Sequence, residues 1–140
     1  MAQTLHLRII TPKQIIIDEP IRSATVMTAD GEITVLPRHS HLFSLLVDGV
    51  ITIRKGKALE DHFAIGGGYL ETDGKHLNIL VSRAQGQDQI DQQMTQKALE
   101  QAKKILSTSK DEAERHEASL LLRRSMIDLK LLTKRKRQVR

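Results

Sequence analysis

The sequence contains no cysteine and no tryptophan, and its 140 residues include only three prolines, one tyrosine and two phenylalanines. Without cysteine the chain forms no disulfide, carries out no thiol chemistry and offers no thiolate ligand to a metal. No apolar run approaches the roughly 20 residues that span a bilayer. The chain starts directly in an alternating pattern, without the features of a signal peptide or transit segment. These features predict a soluble cytoplasmic or organellar protein.

Charge is unevenly distributed along the chain, which has a net charge of +5. Residues 1–86 contain nine Lys and Arg and nine Asp and Glu, so this part is neutral. Residues 87–122 contain five basic and seven acidic residues. Residues 123–140 contain eight basic residues and a single acid, Asp128. The positive excess therefore lies at the C-terminal end, where we expect an acidic partner to bind.

Short alternating segments separated by turn residues make up the first 86 residues. Leu5, Leu7 and Ile9 alternate with His6 and Arg8, as in a half-buried strand. Asp-Gly dipeptides at 30–31, 48–49 and 73–74 favour tight hairpin turns. We expect the runs 43–47 and 50–53 to pair across the second of these turns. Many short strands at this spacing predict an antiparallel β-sandwich or flattened barrel.

The pattern changes to a helical period after the polar stretch 83–88, which we take as the boundary between units at 1–86 and 87–140. Ser109 and Glu112 have the spacing of a capping box for the second of two helices. An antiparallel two-helix hairpin buries little apolar surface alone, so we expect it to lean on the sandwich or on another protein. The apolar stripes predicted for the two helices are Ile90, Met94, Ala98, Ala102 and Ile105, and Ala118, Leu122, Ser125, Leu129 and Leu132.

Motifs that could support catalysis or metal binding are weak. Gly66-Gly67-Gly68 is not followed by Lys-Ser/Thr and leads into a strand, which favours a bulge or tight bend over a phosphate loop. His39 and His41 share a face in extended chain, but no third ligand lies near them in sequence, so we predict surface or contact histidines and no metal site. No nucleophile is paired with a base, and a small sandwich enzyme is the least favoured interpretation.

The basic end permits two interpretations. The run 134–137 could be a solvated end, or it could bind nucleic acid or an anionic membrane. Arg123, Lys130, Lys134 and Arg137 follow helical spacing beside an apolar stripe, which favours an acidic, partly apolar protein surface. Only 2% of the residues are aromatic, and nucleic-acid binding usually adds aromatic stacking. A nucleic-acid- or membrane-binding module remains the alternative hypothesis.

Three blocks of sequence carry a family resemblance that extends over essentially the whole chain. They are residues 5–12 (LHLRIITP), 30–39 (DGEITVLPRH) and 67–71 (GGYLE). In order and spacing, followed by a helical hairpin, they resemble the ATP synthase epsilon subunit. The resemblance implies a non-catalytic central-stalk subunit that couples the catalytic head of a proton-translocating ATP synthase to its c-ring. It also implies inhibition of ATP hydrolysis through the C-terminal helices, and gamma, beta and alpha subunits as further partners.

The resemblance also implies roles for particular residues. The c-ring contact loop of the family corresponds here to Glu32, Pro37, Arg38, His39 and His41, with Arg38 and His41 where the family commonly has Gly and Pro. The basic residues that meet an acidic segment of the beta subunit correspond to Arg123, Arg124, Lys130, Lys134 and Arg135.

An ATP-binding motif in some bacterial relatives matches only at Ile90 and Asp91. Met94 and Thr95 replace its Arg and Ala, so a bidentate phosphate partner is lost. We therefore predict no cofactor and disfavour regulatory ATP binding. The expected location is the cytoplasmic face of the bacterial plasma membrane, with the thylakoid membrane as the other option.

Overall fold

The computed structural model describes residues 3–38, 41–56 and 59–134. The described residues form ten strands, a short 3-10 helix and two α-helices. The strands are β1 Leu5–Ile10, β2 Ile15–Ile21, β3 Ser23–Thr28, β4 Gly31–Val35, β5 Leu42–Leu46, β6 Gly49–Gly56, β7 Leu59–Ile65, β8 Gly68–Thr72, β9 His76–Val81 and β10 Ala84–Gly86. The 3-10 helix is Gln87–Gln89, and the α-helices are α1 Gln92–Thr108 and α2 Glu112–Thr133.

The strands form one sheet that folds around a single core. Their order is β10-β7-β6-β3-β5-β8-β9-β1-β2, with β4 paired to β3. The described pairings are antiparallel except that β1 runs parallel to β9. Strand β2, at one end of this order, contacts β6, near the other end, so the barrel is nearly closed. The predicted fold class, a sandwich or flattened barrel followed by two helices, is confirmed.

Alternation along the strands produces the core. Leu5, Leu7 and Ile9 of β1 are fully buried, and Leu77 and Ile79 of the neighbouring β9 lie beside them. Burial of apolar surface contributes about 25 cal/mol per Å² and is the main stabilising term. Because successive side chains of a strand point to opposite faces, the residues between these core positions lie on the outer surface.

Two of the three predicted Asp-Gly hairpins are present. Gly31 and Gly74 have positive φ values of 120° and 92°, and they turn β3 into β4 and β8 into β9. The predicted pairing of 43–47 with 50–53 is wrong. Strand β5 pairs with β8 and with the end of β3, whereas β6 pairs with β3 and β7. Strand β3 lies between them, so Asp48-Gly49 joins two strands that are not neighbours.

The helices pack against each other, and α2 also contacts β6 and β7. The predicted Ser109 capping box is wrong, because the N-cap residue of α2 is Asp111, whose carboxylate accepts from the Ala113 amide. The predicted stripes are partly wrong. Met94 is 69% exposed, while Leu99 is buried with Ala102 in α1. The buried residues of α2 are Ala118, Ser125, Asp128 and Leu131, because its contact face includes an acid that pairs with the sandwich.

Candidate protein-binding interface

An apolar row crosses the outer face of five adjacent strands. The pairing register of the strands places its five members side by side, in the order Leu45 of β5, Tyr69 of β8, Leu80 of β9, Ile10 of β1 and Ile15 of β2. The two ends of the row are well exposed, Leu45 at 63% and Ile15 at 49%. We call these five residues the outer apolar row. Sequence reasoning missed it because its members come from three parts of the chain, which meet only where β5 pairs with β8 and β1 pairs with β9.

A groove and an aromatic pair extend the outer apolar row. Phe43, which is 61% exposed, contacts the Tyr69 ring with the ring centroids 5.1 Å apart. A groove of about 410 Å³ is lined by Ile10, Pro12, Tyr69, Leu80 and the glycines 67 and 68. The predicted tight bend at these glycines is confirmed. Contiguous exposed apolar surface of this kind is typical of a protein interface.

The described residues among those predicted to contact a c-ring do not form one cluster. Glu32 lies in β4 beside the β3–β4 turn and is exposed, whereas Pro37 follows the other end of that strand. The two positions are five residues apart along the chain, which corresponds to roughly 16 Å in an extended backbone. Arg38 has a positive φ of 65°, and its amide donates to the Gly74 carbonyl (2.9 Å), which ties this loop to the β8–β9 turn. His39 lies outside the described residues.

His41 lines a polar pocket of about 250 Å³ at that end of the sandwich. The other lining residues include Glu71, Asp73 and His76. The His76 and Lys75 amides donate to Asp73, each at 2.8 Å, and the His76 ring adds a third contact at 3.2 Å. These hydrogen bonds lower the pKa of Asp73 below its ordinary value. The carboxylate therefore serves to fix the β8–β9 turn.

The exposed side of α2 carries three of the five predicted basic residues. Arg123 and Lys130 line a groove of about 630 Å³ with Leu122, Met126 and Ile127, and Asp48 faces them from the sandwich. Arg123, Arg124 and Lys130 are exposed. Apolar side chains flanked by cations can bind an acidic amphipathic segment. Lys134 follows the end of α2, and Arg135 lies outside the described residues.

Polar contacts join the end of α2 to the sandwich. Arg83 Nη2 donates to Asp128 Oδ1 (2.9 Å), and Gln87 Nε2 donates to the Leu131 carbonyl (2.8 Å). Burial lowers the pKa of the nearby His62; the Glu60 carboxylate opposes this shift and Lys134 adds to it. Sequence reasoning missed these contacts, although one signal was available: Asp128 is the single acid in a strongly basic segment.

Ile90 and Asp91 lie where the 3-10 helix leads into α1. The Asp91 carboxylate accepts from the Met94 amide (3.0 Å), so it caps the helix. Met94 and Thr95 supply no cation at this point. In the part of the chain that the structure describes, no three His, Cys, Asp or Glu side chains are placed to hold a metal ion. Neither helix of that part has the length and apolarity to cross a membrane.

These features define a class of protein: a β-sandwich with a docked helical hairpin whose functional surfaces are suited to binding other proteins. The family described as "ATP synthase, Delta/Epsilon chain, beta-sandwich domain" matches residues 4–87. The chain belongs to this family of ATP synthase subunits, and it is a non-catalytic subunit.

Relatives named ATP synthase epsilon chain match most of its length. One from a Synechococcus species is 32% identical, covering 84% of this chain and 85% of the relative. One from a Sulfurovum species is 36% identical, covering 74% and 80%. The chloroplastic epsilon chain of Drimys granadensis is 34% identical, covering 87% and 90%. The similarity thus extends beyond the sandwich into the helices.

Solved structures agree with this assignment. A chain in the Euglena gracilis mitochondrial ATP synthase, in an assembly of OSCP, F1 and c-ring, is similar with a TM-score of 0.81 and 26% identity, covering 91% of this chain and 79% of that one. A chain of the Tetrahymena thermophila mitochondrial ATP synthase central stalk and c-ring has a TM-score of 0.58. At 14% identity, the second similarity concerns the fold alone.

Proposed function

We propose that this chain couples the catalytic head of a proton-translocating ATP synthase to its c-ring by binding the gamma subunit. The outer apolar row is the observation that supports this role. Its five residues lie side by side across β2, β1, β9, β8 and β5, and the ends of the row are exposed. Covering such a row against a coiled shaft removes apolar surface from water. A subunit that rotates together with gamma must stay bound to it, and a covered apolar surface provides lasting binding of this kind.

The loop end of the sandwich contacts the c-ring in this proposal. One part of the contact consists of Pro37, Arg38, His39 and His41. A second part is Glu32, at the other end of β4. The bond from Arg38 to Gly74 fixes the first part relative to the sandwich. The chain then lies peripherally at the cytoplasmic face of a bacterial plasma membrane or at a thylakoid membrane, with no residue inserted into the bilayer.

Residues 87–140 act as a regulatory arm on the sandwich of residues 1–86. When released, the arm inhibits ATP hydrolysis by placing its basic residues against an acidic segment of the beta subunit, next to the alpha subunit. The groove of α2 supports this role, because Arg123 and Lys130 border apolar Leu122, Met126 and Ile127. The remaining contacts in the proposal are Arg124, Lys134 and Arg135. Regulatory ATP binding at Ile90 and Asp91 has no part in it.

Shaft binding is tested by co-purification with the other synthase subunits. We expect Leu45→Glu, at an exposed end of the outer apolar row, to reduce recovery of the gamma subunit and c-ring about tenfold or more, because it buries a charge. Leu120→Glu is the matched control, since Leu120 is 47% exposed but lies on α2. Undiminished recovery with Leu45→Glu would refute shaft binding by this face.

The brake is tested by ending the chain before residue 88 in the assembled complex. We expect assembly to persist and ATP hydrolysis to rise, because the sandwich keeps the outer apolar row. Unchanged hydrolysis, under conditions where the full chain inhibits, would contradict the brake.

The alternative function is tested by filter binding to DNA and by vesicle pelleting. Tight, salt-sensitive binding without any synthase partner would favour that alternative.

A further inference from the structure

We infer that Arg83, Gln87 and Asp128 form a latch that holds the C-terminal helices against the sandwich and sets how often they are released. The inference rests on the proposed brake only for its effect on ATP hydrolysis. Asp128 is the single acid among residues 123–140, and only 7% of it is exposed. The Arg83 side chain is 17% exposed and its guanidinium lies 2.9 Å from the Asp128 carboxylate. An ion pair this sheltered is little screened by salt.

Neighbouring residues hold the latch in position. Arg83 Nη1 donates to Gln85 Oε1 (3.2 Å), which orients the guanidinium towards α2. Gln87 Nε2 donates to the carbonyls of Leu131 and Lys134. The last carbonyls of a helix have no partner within the helix, so Gln87, which directly follows β10 of the sandwich, supplies one here. The side chain of Leu131, three residues after Asp128, is fully buried.

The latch contacts exist only when the arm is docked. Asp128 and Arg83 are 45 residues apart in sequence, so releasing α2 separates them and exposes both to water. A contact present in one state alone shifts the equilibrium towards that state. When the arm is released, the negative charge of Asp128 would also reduce the attraction of the basic helix for an acidic surface. Asp128 therefore favours the docked state in both ways, which explains why an acid occurs in this segment.

The test measures release in the isolated full-length chain. The sequence has no cysteine, so spin labels at Lys13→Cys and Leu120→Cys report the distance between sandwich and arm. We expect Arg83→Met and Asp128→Leu, each alone, to raise the released population about tenfold or more, because each strands a sheltered charge. The double variant, with no stranded charge, should recover most of the docking. Glu117→Gln, an exposed acid on α2, is the control and should change nothing.

Two results would overturn the latch: docking unchanged in both single variants, or a double variant released as fully as the worse single variant. If a single variant fails to fold, Gln87→Ala removes only the neutral cap, and an arm still docked to the wild-type extent would also count against the latch. In the assembled synthase, Asp128→Leu should increase inhibition. Release in the isolated chain with unchanged hydrolysis in the complex would support the latch and refute the brake.

Discussion

At the scale of single residues, Arg38 has a backbone conformation that favours glycine. Its φ of 65° brings Cβ close to the following carbonyl, which costs an L-residue about 1–2 kcal/mol. We expect Arg38→Gly to raise the free energy of unfolding by up to about 1 kcal/mol, since glycine also gains freedom in the unfolded chain. Urea denaturation measures the change. Arg38→Ala keeps Cβ and is the control. An equal increase in the free energy of unfolding with Ala would argue against relief of backbone strain.

Lys55 joins strands from opposite ends of the sheet order. Its ammonium lies 2.6 Å from Glu19 on β2 and 2.7 Å from Asp61 on β7. Burial alone would lower the pKa of Lys55, but the hydrogen bonds to Asp61 and Glu19 outweigh it and raise the pKa above 10.5. Since the folded state holds this proton more tightly, the stabilisation is fully present below pH 10.5 and is lost as pH rises through the folded-state pKa.

We expect Lys55→Met to lower the free energy of unfolding by about 1–2 kcal/mol at pH 7, because two carboxylates lose their partner. The difference from wild type should shrink as pH rises from 10.5 through the raised folded-state pKa of Lys55, because Lys55 loses its charge over this range. Urea denaturation at pH 7 and pH 11 measures both effects. Lys13→Met, at an exposed position, is the control. A difference that stayed constant between the two pH values would mean that the charge of Lys55 is not its source.

At the scale of elements, the bend between β7 and β8 distinguishes two adjacent glycines. A Cβ at Gly68 would collide with the Leu80 carbonyl and lie 2.8 Å from the Val81 Cα, whereas a Cβ at Gly67 meets its nearest atom at 3.4 Å. We expect Gly68→Ala to cost about 2 kcal/mol or more, because β8 must move away from β9. Gly67→Ala, the control, should change stability by less than about 1 kcal/mol. Similar thermal unfolding of the two variants would contradict this prediction.

Element type was more predictable from the sequence than element partnership. Alternation at Leu5, Leu7 and Ile9 identifies a half-buried strand, and positive φ at Gly31 and Gly74 suits the hairpins they close. Alternation does not specify which strands pair, so β5 and β6 were wrongly joined. The run of three isoleucines at 15–17 does not alternate, and β2 was not predicted for that reason. Strand pairing depends on contacts across the whole sheet.

Sequence patterns also predict the candidate surfaces only where a surface does not depend on which strands pair. The basic face of α2 was predictable because charge and helical period both lie within one segment of sequence. The outer apolar row was not, since Leu45, Tyr69 and Leu80 become neighbours only through β5, β8 and β9. Asp128 stands out in the sequence as the single acid of residues 123–140, but nothing local to it indicates that Arg83 lies opposite.

At the scale of the whole molecule, a neutral sandwich carries a helix that ends in a strongly basic segment. We expect replacement of Arg123, Arg124, Lys130 and Lys134 by Ala to weaken the proposed inhibition of ATP hydrolysis in the assembled synthase. The loss should be greatest at low salt, because the Debye length falls from about 30 Å at 0.01 M to about 8 Å at 0.15 M. Hydrolysis by wild-type and variant complexes across this range measures the effect.

The matched control replaces Lys97, Lys103, Lys104 and Lys110 by Ala, which removes the same charge from exposed positions on and just after α1. If net charge alone governed inhibition, both quadruple variants would lose it equally. If the basic face of α2 meets an acidic surface, only the first variant loses inhibition, and salt reduces the difference between them. A loss independent of salt would show that these side chains act through packing.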